Sequence, residues 1–155
     1  MGRSRGGYST KLHLRIEGGG KPMTLTLTGG QRHEVTQVQA LLAGPAIKRP
    51  GPGGPTGRPG RGRPRIRPKR IAGDKGYSFP VVRARLRRRG IGVVIPAKSN
   101  QPRQPRFDKA AYRQRNRVER CFNRLKQYRR VATRYEKRAV NYKAMVTIAM
   151  ILLWT

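Results

Sequence analysis

Acidic side chains are scarce in this chain of 155 residues: Asp and Glu total 6, against 37 Lys and Arg, for a formal net charge of +31. Six scattered acids exclude an acid-rich calcium loop, which needs several carboxylates close together. One cysteine excludes an internal disulfide framework and a cysteine-built zinc site. Six Tyr, three Phe and one Trp are too few and too scattered for a base-stacking platform. Behind Met1-Gly2-Arg3-Ser4-Arg5 come glycines and not an apolar signal core. The longest apolar run, residues 144–154, covers about 11 residues where a membrane span needs about 20. That run is expected to form a buried C-terminal helix, with no membrane partner and a cytoplasmic location.

Positive charge is what the chain has in excess. Such a chain repels itself and calls for a polyanion, either nucleic acid or an anionic membrane surface. Arginine supplies 27 of the 37 cations, a bias that coding drift in a GC-rich genome also produces. The length suits one domain. Hydrophobic residues make up 35%, lean but enough for a modest core.

Leu12, Leu14 and Ile16 alternate with His13, Arg15 and Glu17, and after Gly18-Gly19-Gly20, Met23, Leu25 and Leu27 alternate with threonines. That period of two predicts a hairpin of half-buried strands. Val35, Val38 and Leu41/Leu42 then predict a helix closed near Gly44. Residues 48–70 hold nine basic residues, six Gly and six Pro, with no acid and no aromatic. This tract is expected to be a disordered linker within the domain, either a phosphate-neutralising arm or a low-complexity insertion. A short strand at Ile71-Ala72, a helix from about Ser78 with Pro80 in its first turn, and a strand over 91–95 predict a parallel βαβ unit. Helix is expected over 108–135 and again through Trp154. The order β-β-α-β-α-β-α predicts a mixed-sheet α/β domain with C-terminal helices.

Each acid can be weighed singly. Glu17 falls on the polar face of a strand, Glu34 and Asp108 at helix starts where negative charge suits the dipole, and Glu136 between helices in solvent. Asp74 falls at the carboxyl end of a strand, where ligands gather in open α/β sheets. Glu119 lies mid-helix among arginines. At about 100° per residue, Tyr112, Arg115, Glu119 and Lys126 share a stripe roughly 60° wide. The apolar set Val118, Cys121, Phe122, Leu125 and Tyr128 is centred about 110° away, which puts Glu119 at the rim of the packed face. Equally, Glu119 on a solvated face would pair with Arg115, worth a few tenths of a kcal/mol.

The spacing Tyr112-x2-Arg115-x3-Glu119-x6-Lys126 resembles the signature around the third acid of DDE transposases from bacterial insertion sequences. Asp74-Lys75-Gly76-Tyr77 resembles the stretch around that family's second acid. The segments Gly2-Arg3-Ser4-Arg5, Leu27-Thr28-Gly29-Gly30-Gln31-Arg32-His33, Pro96-Ala97-Lys98-Ser99-Asn100 and Ala132-Thr133-Arg134-Tyr135 are similar as well, in the right order.

The resemblance implies a ribonuclease H-like fold, incomplete here because the first, central strand with the first catalytic Asp would precede Gly2. The chain is then expected to be the C-terminal part of a transposase, encoded in two reading frames or left by decay, and inactive by itself. Its upstream partner would carry that Asp, and the complete enzyme would be a homo-oligomer acting on transposon ends and target DNA. By the same resemblance Asp74 and Glu119 would each ligate metal in a two-Mg²⁺ site for phosphoryl transfer. Arg115 and Lys126 would contact phosphate and Tyr112 the DNA end. Lys75 either reaches a phosphate or stays a solvated turn lysine. His13 and His33 are expected to serve structure, and Cys121 the core. Two rival readings remain: a non-catalytic basic nucleic-acid binder and a trans-acting inhibitor of transposition.

Overall fold

The computed structural model describes residues 2–4, 7–44 and 67–155. The three-residue strand β1 (Gly2–Ser4) pairs antiparallel with the start of β2 (Gly7–Ile16), which pairs antiparallel with β3 (Pro22–Gly29). A 3₁₀ turn (Glu34–Gln37) runs into the short α1 (Val38–Leu42). Then come β4 (Arg70–Ala72), a second 3₁₀ turn (Lys75–Tyr77), α2 (Pro80–Arg88) and β5 (Gly92–Val94). The chain continues as α3 (Lys109–Arg113), α4 (Asn116–Lys126), α5 (Arg129–Ala132) and α6 (Ala139–Leu152).

The alternation in β2 and β3 sorts their side chains as expected. Leu12, Leu14, Ile16, Leu25 and Leu27 pack on one face against a cluster of Cys121 and Leu125 from α4, Val131 from α5, and Tyr142, Val146, Ala149 and Met150 from α6. The opposite face is not solvent, however. His13 is 3% exposed there, and the hydroxyls of Thr24 and Thr26 are buried without a hydrogen bond. Arg15 Nη1 donates to the Leu41 carbonyl at 2.8 Å, which fixes α1 across that face.

The βαβ unit forms as predicted: β4 and β5 are parallel, with Ile71 opposite Val93. Pro80 opens α2, where its missing N–H costs nothing. Gly90 closes α2 at φ +63, a conformation that disfavours any side chain. Val82, Leu86, Ile91 and Ile95 form a second apolar cluster, flanked by Val35, Val38 and Leu42. The two clusters share no residue.

Four expectations need correction. The strands form two sheets, β1-β2-β3 and β4-β5, rather than one mixed sheet, because β2 and β4 share no backbone ladder among the described residues. The helix expected over 108–135 is three helices. Around Gln114 and Arg115 the backbone tightens to i→i+3 bonds, such as Arg115 N–H to the Tyr112 carbonyl at 2.9 Å, and Tyr128 leaves the helical region before α5. Glu136 is not solvated: its side chain is 12% exposed, with Oε1 4.0 Å from Arg130. And α6 is buried on one face only. Val140, Ile148, Ile151 and Leu152 are exposed on the other side.

Most of the basic tract lies outside the described residues. Its last four, 67–70, are described: Arg67 donates to the Arg89 carbonyl at 2.7 Å, and Arg70 opens β4. No described helix is long and apolar enough to cross a membrane.

Because the clusters are separate, truncations in each are expected to add. Leu86→Ala and Leu125→Ala should each cost about 2–5 kcal/mol. The double variant should equal their sum within about 0.5 kcal/mol. Denaturant unfolding measures this; strong non-additivity would show one shared core.

Candidate functional site

Two stretches carry the chemistry singled out in the sequence. The first is the turn after β4. Gly73 N–H donates to the Val94 carbonyl at 3.2 Å, and Tyr77 N–H donates to the Asp74 carbonyl at 3.0 Å, closing the 3₁₀ turn. Ser78, fully buried, donates to Gln101 Oε1 at 2.6 Å and accepts from Arg83 Nη2 at 2.8 Å, which pins the segment after β5 to this turn. Asp74 precedes the turn in extended backbone, exposed, and makes no capping bond. Lys75 is exposed beside it.

Beneath the turn runs a polar bridge between the two sheets. His13 Nε2 lies 2.8 Å from Thr28 Oγ1, and its Nδ1 lies 3.4 Å from the Tyr77 hydroxyl. Lys11 Nζ pairs with Glu34 Oε1 at 2.7 Å. Gly76 lets this carboxylate approach: a Cβ there would stand 3.3 Å from it. The hydrogen bond from Lys11 holds the Glu34 carboxyl below its ordinary range. Burial pushes the Tyr77 hydroxyl up to about 12, helped by Glu34 and Asp74, and burial pushes His13 down. The role of Glu34 in this bridge had no sequence signal beyond its place at a helix start, because its partners are Lys11 on β2 and Gly76 on the turn.

The second stretch spans α3 and α4. Asp108 caps α3, accepting from Ala111 N–H at 2.8 Å, and also pairs with Arg70 at 2.9 Å. Phe107 packs on Tyr112 with ring centres 5.4 Å apart, and the Arg115 guanidinium sits 5.6 Å from the Tyr112 ring. Arg115 Nη2 then donates to Glu119 Oε1 at 2.5 Å. Tyr112, Arg115 and Glu119 therefore touch in series. Glu119 is 54% exposed, so it stands clear of the packed face rather than at its rim. Lys126 is exposed two turns further along α4, about 10.5 Å along the axis. Cys121 and Leu125 point into the core. No contact joins Asp74 or Lys75 to the Glu119 stripe among the described residues.

Set side by side, the six acids differ. The Glu17 carboxylate clamps its own turn, accepting from Gly19 N–H at 2.7 Å and Lys21 N–H at 3.0 Å. Glu34, Asp108, Glu119 and Glu136 each face a cation. Asp74 alone has no hydrogen bond or ion pair from its carboxylate to the described residues. Its free oxygens and the exposed Glu119 are the groups that offer themselves to a hard cation. No three His, Cys, Asp or Glu side chains among the described residues come together as a metal site. The described residues thus do not fit a resident pair of ions by themselves.

The chain belongs to the transposase DDE domain family, whose model matches residues 2–154. It is 27% identical over 148 residues to a Brucella ovis protein described as a candidate transposase for insertion sequence element IS6501. That alignment covers 94% of this chain and 98% of the relative. It is 33% identical over 145 residues to a Burkholderia cepacia protein described in the same way for IS402, covering 93% of this chain and 62% of the relative. No solved structure matches.

The bridge makes stability depend on pH. A histidine whose folded pKa lies below its unfolded value binds fewer protons folded than unfolded, so stability falls as pH drops from about 6.5. The Glu34 contribution, also present above its unfolded value, is lost only at more acid pH, below 4.5. Unfolding free energies between pH 5 and 8 should therefore decline on acidification in the parent and flatten in His13→Gln. Parallel curves would show that His13 does not set this slope.

Proposed function

We propose that this chain is the C-terminal portion of a DDE transposase with a ribonuclease H-like fold. It binds transposon DNA and supplies two of three metal-binding carboxylates, Asp74 and Glu119, for DNA cleavage and strand transfer. The observation that carries this is the Asp74 carboxylate at the carboxyl end of β4, which alone among the six acids has no hydrogen bond or ion pair to the described residues; Glu119, although exposed, would exchange Arg115 for the cation. Arg115, Lys126 and Lys75 contact phosphate, and Tyr112 meets the DNA end. In the complete enzyme Asp74 and Glu119, with a third carboxylate from the upstream portion, would hold Mg²⁺, which would supply Lewis-acid chemistry for phosphoryl transfer.

The sheet supports an upstream partner. Ser9 accepts from Gly30 N–H at 3.2 Å, so odd-numbered residues of β2 bond towards β3. The backbone groups of Thr10, Leu12 and Leu14 then point to the other edge. β1 covers that edge only along Gly7–Ser9, and no described strand covers the rest. A strand from the upstream portion, carrying the first Asp, would pair with this edge of β2. The basic side chains of the 48–70 tract would add charge that neutralises phosphate, and the exposed apolar face of α6 supports a homo-oligomer.

The missing third carboxylate equally favours a second reading, a non-catalytic nucleic-acid binder or a trans-acting inhibitor of transposition. Strand-transfer assays with Mg²⁺ separate the two. The chain alone should show no turnover, while the chain supplied with the upstream portion should. Asp74→Ala and Glu119→Ala should each abolish that activity and leave DNA affinity within about twofold. Turnover by the isolated chain, or activity surviving either substitution, would refute the assignment.

A further inference from the structure

A cavity of about 600 Å³ lies between α2, β5 and residues 104–108, and it is lined by Arg70, Arg83, Arg87 and Arg106. Asp108 is the one acid in its wall. Its carboxylate is already engaged by Arg70 and by the first turn of α3. Arg87 and Arg106 have no hydrogen bond or ion pair among the described residues. Arg83 is held by the carbonyls of Ile95 at 2.8 Å and Pro96 at 3.3 Å, and by Ser78. Those neutral acceptors engage one of its nitrogens, Nη2, and leave its charge uncompensated. Burial, reinforced by Arg87, lowers the Arg83 pKa. Guanidiniums converging on one cavity repel, and that arrangement persists at least cost when an anion sits among them.

The cavity is continuous with the stripe described above. Phe107 forms part of its wall and packs at a tilt against Tyr112, whose ring lies beside Arg115, which in turn reaches Glu119. We propose that this cavity is a second phosphate site, which grips the backbone of a nucleic-acid strand as it leaves the Tyr112–Glu119 stripe. The inference rests on the nucleic-acid reading but on none of the metal chemistry. Planar guanidinium forks suit phosphodiester oxygens.

The test uses the full chain and a fluorescein-labelled DNA duplex with a single-stranded 3′ extension, titrated by anisotropy across a salt series. Arg87→Ala with Arg106→Ala removes two unpartnered side chains, so folding should survive, as circular dichroism will check. Arg129→Ala with Arg138→Ala removes the same charge from exposed positions elsewhere. The cavity pair should weaken binding about tenfold and flatten the plot of log K against log salt by about 1, since the one phosphate gripped there contributes about 0.9. The control pair should change affinity less than about twofold. Inorganic phosphate at equal ionic strength should compete with the parent weakly but better than chloride does, and that advantage should vanish in the cavity pair, since guanidinium forks suit phosphate oxygens. Equal losses in both pairs, or a loss without a change of slope, would overturn the proposal, and so would phosphate competition that the cavity pair leaves unchanged. Strand transfer by the complete enzyme is read separately. If it never occurs while the cavity-specific loss persists, the transposase reading falls and this site stands.

Discussion

The polar bridge between β2 and the turn after β4 holds the arrangement together. Two apolar clusters that share no residue do not by themselves fix their relative position. Lys11, His13 and Arg15 on one face of β2 do it instead, through Glu34, Tyr77 and the Leu41 carbonyl. Such groups are costly to bury unless each finds a partner, so the bridge admits few alternative geometries. Tyr77 is also the last residue of the turn that presents Asp74. The placement of the free carboxylate is therefore inherited from a contact set several residues away from it.

Carboxylate scarcity works on a larger scale. Four ion pairs do not offset the mutual repulsion of 37 cations, and the exposed ones among them are worth little. What each acid does instead is local. Glu17 shapes a turn and Asp108 starts a helix. Glu34 joins two sheets, and Glu119 orients the guanidinium that lies over Tyr112. A polyanion laid across the cationic surface would relieve the repulsion that these acids leave.

Local patterns were legible in the sequence wherever the physics is local. Alternation in residues 12–28 gave the hairpin and its packed face, while Pro80, Gly90 and the spacing of Val82 and Leu86 gave the βαβ unit. Cys121 and Leu125 followed from helical periodicity. Periodicity could not show the tightened backbone at Gln114 and Arg115, because a few i→i+3 bonds barely disturb the apolar spacing on either side. It could not show that Glu136 is covered, which depends on where α5 and α6 meet. The arginine cavity was invisible for a similar reason: its walls come from residues 70, 83–87 and 104–108, which meet only through the parallel pairing of β4 and β5. Asp74 and Glu119 stood out as the acids without an ordinary structural explanation. In the fold Glu119 acquires one, its bond to Arg115, and Asp74 does not.

α6 inverts the character of the rest of the surface. It carries one charged residue, Lys143, and presents Val140, Ile148, Ile151 and Leu152 to solvent. A helix apolar on all sides is ordinarily covered on all sides. Two copies that met across this face would bring together the least charged surfaces of two chains each carrying +31. Charges within about 8 Å of one another still interact strongly at physiological salt, so cations flanking the face would oppose that approach. DNA bound to each copy would remove much of that opposition. Association through α6 would then follow DNA binding rather than precede it, and an apolar face on a strongly cationic chain would stay unpaired until nucleic acid is present.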